Sequence, residues 1–96
     1  MSLPSTNKIA TAGTLTATTS SQEILAANTR RRWAIICNSG ANGLWLGFGV
    51  AAVVGTGVYV PPSGGTLVID GDNRWQGSVT GILAAATSVI GTMELK

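Results

Sequence analysis

The chain has 96 residues, 45% hydrophobic and only 10% charged, with six Lys and Arg against four Asp and Glu for a net charge of +2. That length closes one hydrophobic core and not two, and so small a positive excess does not point to nucleic acid. With no histidine and a single cysteine, an intrachain disulfide, a structural zinc site and a Ser-His or Cys-His nucleophile pair are all excluded.

Thirteen glycines and three prolines punctuate the chain at short intervals. They leave no run for a sustained helical stripe and favour short strands between turns. Residues 1–13 are polar, carry Pro4 and Gly13, and read as an arm. Residues 14–19 (TLTATT) alternate and are β-branched, and read either as a strand or as an extended arm laid on a partner. The division drawn is an extended N-terminal arm over 1–20 and one domain over 21–96.

Residues 23–27 (EILAA) read as the next strand, with Asn28-Thr29-Arg30 as its turn. In 32–38, Trp33, Ile35 and Cys37 share one face and Ala34 and Ile36 the other. Apolar groups on both faces predict a central strand, with Trp33 in the core. The return strand over 44–48 sets Leu44, Leu46 and Phe48 against Trp45 and Gly47, and is expected to form a hairpin with 32–38 across the loop 39–43. Residues 49–57 (GVAAVVGTG) read as a helical turn or an apolar loop. After residues 58–60 comes a firm turn at Pro61 to Gly65, then a short strand over 66–69. A turn over 70–73 leads to two closing strands over 76–86 and 88–95. Seven or eight short strands with frequent turns predict an all-β fold, a β-sandwich or a small barrel, with a single small jelly-roll-like sandwich preferred.

No basic segment followed by an apolar run opens the chain, so no signal peptide is read, and residues 81–86 are too short to span a bilayer. A cytoplasmic origin and no membrane partner are expected.

The chemistry-bearing residues are few. Asp70 and Asp72 flank Gly71 in a turn, where carboxylates serve backbone geometry; a calcium loop needs more oxygen ligands, and no metal or cofactor is expected. Residues 47–52 (GFGVAA) imitate a dinucleotide fingerprint, but Gly55, Gly57 and Pro61-Pro62 leave no room for the helix it requires. Arg30, Arg31 and Arg32 form the only charge run. They read as a solvated turn, as a fork onto acidic groups of a partner, or, third, as a nucleic-acid contact. Trp33, Trp45 and Trp75 fill the core or an interface unless exposed for sugar stacking. Cys37 in mid-strand has no base to activate it and is expected to be a buried, inert thiol. An enzyme is the last reading, for want of residues.

Ile24-Leu25-Ala26-Ala27-Asn28 before the arginine turn, Trp33 to Asn38, Leu44 to Gly49, the turn at Pro61 to Gly65, Trp75 to Val79 and Met93-Glu94-Leu95 together resemble a group of small tailed-phage virion proteins. The resemblance implies a β-sandwich on the virion, in the first place a capsid decoration (cement) protein. It would sit on the capsid surface as a homotrimer, bind the assembled major capsid protein and stabilise the shell. On that reading Arg30, Arg31, Arg32 and the arm residues Leu3, Pro4, Lys8 and Ile9 contact the capsid, while Trp45, Trp75, Val53 and Val54 form the oligomer interface. A tail, baseplate or head-fibre component is the alternative in the same class. A carbohydrate-binding module presenting Trp45 or Trp75 is the alternative in another.

Overall fold

A computed structural model describes residues 10–70 and 75–95. It contains eight strands: β1 (Ala10–Ala17), β2 (Gln22–Leu25), β3 (Trp33–Asn38), β4 (Leu44–Phe48), β5 (Val58–Val60), β6 (Gly65–Ile69), β7 (Val79–Leu83) and β8 (Ser88–Leu95). They form two four-stranded antiparallel sheets, ordered β1-β8-β3-β6 and β2-β7-β4-β5. That interleaved order is the jelly roll, in which successive strands alternate between two facing sheets except for the β4–β5 hairpin within the second sheet. No helix of the described residues is long and apolar enough to cross a membrane.

Alternation along the strands builds the core. Ala34 and Ile36 of β3 and Ile90 of β8 project from the first sheet toward Leu44 and Leu46 of β4 and Val79 and Leu83 of β7 in the second, and all are buried. Burial of aliphatic side chains on this scale supplies about 1.5–3 kcal/mol each before entropy is set against it.

The strand over 44–48 is found as expected, but the hairpin is not. β3 lies in the first sheet and β4 in the second, so residues 39–43 arch across the core instead of turning within a sheet. Asn38 fixes the arch. Fully buried, it donates through Nδ2 to the carbonyls of Asn42 (2.7 Å) and Val60 (3.3 Å) and accepts from the Gly40 N–H at 3.2 Å. A hairpin-type loop and a sheet-crossing arch use the same Asn, Ser and Gly chemistry, which is why the sequence favours the wrong one.

One further boundary moves. Ala10–Ala17, expected within the arm, is a full strand that pairs with β8 along its whole length, from Ala10↔Leu95 to Ala17↔Ser88. Residues 49–57 are irregular loop, tied down where the Ala52 N–H donates to Ser21 Oγ at 2.9 Å. The expected arm residues Leu3, Pro4, Lys8 and Ile9, and Asp72 of the 70–73 turn, lie outside the described residues.

Candidate functional site

Residues directly opposite each other in antiparallel strands share a face, so the pairing registers map the outer surface of the first sheet. One row runs Ala12, Met93, Ile35, Val68; the next runs Thr14, Gly91, Cys37, Thr66. Ala10, Leu95 and Trp33 lie at one end, and Thr16 with Val89 at the other. No charged residue falls in these rows. Val89 is 50% exposed, Val68 38% and Met93 36%, while Trp33, Ile35 and Cys37 are half-buried. Sheets with one face in water ordinarily turn polar groups outward. This one turns Trp33, Ile35, Val68, Val89 and Met93 outward beside Thr14, Thr16 and Thr66, and no described element covers it.

The apolar character of β3 on both sides is thus explained differently from the expectation. Its even-numbered face (Ala34, Ile36, Asn38) closes the core, and its odd-numbered face (Trp33, Ile35, Cys37) belongs to the outer surface. Trp33 is not a core residue, and Cys37 is half-buried on the surface row, not sealed inside.

The three arginines do not act together. They leave a turn closed by the Arg31 N–H on the Asn28 carbonyl at 3.1 Å, with Arg30 and Arg32 exposed and Arg31 fully buried. The Arg31 guanidinium ion-pairs through Nε with Glu94 Oε2. Its Nη1 donates to the carbonyls of Trp75 (2.8 Å) and Gly77 (3.0 Å), and Nη2 to that of Ala26 (2.6 Å). Gln76 answers by donating through Nε2 to the Arg31 carbonyl at 3.1 Å. With its hydrogen bonds spent internally, Arg31 has nothing to offer a capsid surface. Its place among partner contacts is corrected to a structural one, and only Arg30 and Arg32 stay available.

Of the expected interface residues, Val53 (56% exposed) and Val54 (43%) sit on the 49–57 loop. Trp45 is half-buried on the outer face of the second sheet, its ring 4.9 Å from that of Tyr59 at 50°. Trp75 donates through Nε1 to the Ser78 carbonyl at 2.9 Å and meets Phe48 edge-on. With Phe48, Val58, Leu67 and Ile69 it lines an open apolar cleft of about 380 Å³ between the free edges β5 and β6.

What sequence reading missed is the outer-face surface itself. The signal was present in the odd-numbered residues of 33–37 and in Val89 and Met93, but only strand order shows that they are neighbours. Among the described residues, no group of three or more His, Cys, Asp or Glu could hold a metal ion. The arrangement offers surface for contact. Comparison with protein-family models, with curated proteins and with solved structures returns no match.

Proposed function

We propose that the chain is a structural protein that docks the outer face of its first sheet onto a larger protein assembly. We identify that assembly as the capsid shell of a tailed phage, which the chain decorates and stabilises. The observation that carries the docking role is the uncharged apolar surface through Ala12, Met93, Ile35, Val68 and Val89. Extended exposed apolar surface marks sites of protein contact. Covering a half-exposed side chain of this kind contributes about 1 kcal/mol, so several act together in each copy, and many copies act together on a shell. A charged fraction of 10%, against about a quarter in ordinary soluble domains, supports the same role.

The choice of a capsid rests on the resemblance of the sequence segments to small virion proteins, and on analogy with the jelly rolls of viral capsids. The chain acts by binding, without catalysis, and assembles in the cytoplasm of the host. The test is co-sedimentation with purified phage shells that lack the chain. The unmodified protein pellets with shells, and the Val89→Lys/Met93→Lys variant stays in the supernatant. Failure of the unmodified protein to pellet overturns the capsid reading, and equal pelleting of the variant overturns the assignment of the face.

A second reading draws on Trp45 and on Tyr59, which is 47% exposed, as a sugar-stacking pair on the opposite sheet. Jelly rolls also serve as lectins. The 50° angle between the rings gives them no common plane, which disfavours it. Saturable quenching of tryptophan fluorescence by host polysaccharide, lost in Trp45→Leu, favours it over the capsid.

A further inference from the structure

We propose that β1 is the pairing edge of a symmetric dimer, joined antiparallel to β1 of a second copy so that the two first sheets run on as one. The two sheets expose four edges: β1 and β6, β2 and β5. Natural sheets guard such edges by keeping them short, bulged, charged or proline-bearing. Three of the four follow that rule. β2 has four residues, carries Glu23 and shifts register between Glu23 and Leu25. β5 has three residues and runs into Pro61. β6 has five, leads out of the Pro61-Pro62 turn and is followed directly by Asp70.

β1 breaks the rule in every respect. It is eight residues long, ATAGTLTA, with no charge and no proline, and its register on β8 is unbroken. No described residue pairs with its other side, and residues 10–14 are exposed on both faces. A long, regular edge without guards is a template for another strand.

The strand itself suits a second copy. A two-fold axis normal to the sheet places residues of the same face opposite each other. Centred on Thr14, it sets Thr14 beside its own copy, Ala12 beside Thr16, and Gly13 beside Leu15. Small residues then face larger ones, Thr meets Thr, and no like charges oppose. The same axis keeps both outer faces on one side, so the rows through Met93 and Ile35 continue from one copy to the next. Antiparallel edge pairing closes after two copies, so it yields a dimer where the resemblance implies a trimer. The inference does not rest on the capsid reading, because the isolated chain in buffer tests it.

Sedimentation equilibrium of the full chain across micromolar concentrations is the experiment. The expected result is a monomer–dimer equilibrium whose Kd rises about tenfold or more in Ala12→Lys/Thr14→Lys, which sets the position-14 cation against its own copy and adds a second charge to the edge. Thr66→Lys, on the same outer face but at the opposite edge, leaves Kd within about twofold. Hydrogen exchange of the unmodified chain supplies a readout free of mutation: amides in 10–17 gain protection with concentration, and those in 65–69 do not. A monomer at every concentration, a trimer, a Thr66→Lys effect equal to that of the double variant, or unchanged β1 protection overturns the proposal. So does a dimer that appears only after residues 1–9 are deleted, since the chain's own N-terminal segment would then be the occupant.

Discussion

The Arg31 guanidinium, buried completely, is ion-paired to Glu94 of β8 from the far side of the β2–β3 turn. Its remaining donors are aimed at three backbone carbonyls. One side chain thereby ties the end of β2, the segment before β7 and the last strand into one corner of the sandwich. Arg31→Ala leaves Glu94 short of its cation and strands those carbonyls, a loss of about 3–5 kcal/mol. A 96-residue domain has roughly 5–14 kcal/mol in all, so this one substitution removes between about a fifth and all of it. Arg31→Lys keeps the charge but not the planar fork and costs about 2–3 kcal/mol. Arg30→Ala, at an exposed position, changes stability by less than about 0.5 kcal/mol. Urea unfolding of the three variants checks the order; equal effects at positions 30 and 31 would show that the corner is not held this way.

Why this corner was hidden in the sequence is a matter of separation. Three successive arginines look alike until the chain's direction assigns one of them inward, and Glu94 lies 63 positions away from Arg31. The local pattern was far more legible. Leu44 and Leu46 face the core as their alternation predicts, and β8 spans the residues its spacing suggests. Residues 10–13 were obscured for the opposite reason: they carry no large apolar group, because they pair at an edge and bury almost nothing. The arch at 39–43 was misread because loop chemistry sets local backbone geometry but not which sheet receives the next strand.

Asn38 gives the arch a direct test. Replacing it with Leu removes two donors and one acceptor from a site with no access to water, and leaves the Gly40 N–H without that partner. The expected loss is about 2–4 kcal/mol, seen as a fall in Tm of roughly 10–25 °C at this size. An unchanged Tm would mean that the arch is held by other contacts.

Two glycines on one loop separate backbone strain from collision. Gly55 and Gly57 both have left-handed φ, +89° and +84°. A Cβ at Gly55 meets nothing, whereas one at Gly57 overlaps the Leu46 carbonyl oxygen. Gly55→Ala therefore costs about 1–2 kcal/mol from conformation alone. Gly57→Ala costs about 3 kcal/mol or more, because a backbone atom of β4 must move. Chemical denaturation compares them, and similar losses would refute the collision.

Cys37 supplies a probe of the outer face without mutation. Half-buried in the row Thr14, Gly91, Cys37, Thr66, it is two strands from the β1 edge and remains open in an edge-paired dimer. Maleimide modifies it in the isolated chain, and protection appears only when the face is docked. Modification at an equal rate in the docked state would place the contact elsewhere.

Cryo-electron microscopy of purified virions containing the chain decides whether the outer face of the first sheet docks on a virion shell. The expected density lies on the capsid exterior with β3 and β8 turned toward the shell and Val89, Ile35 and Met93 covered. Density with that face open to solvent, or in the tail instead of on the capsid, would contradict it.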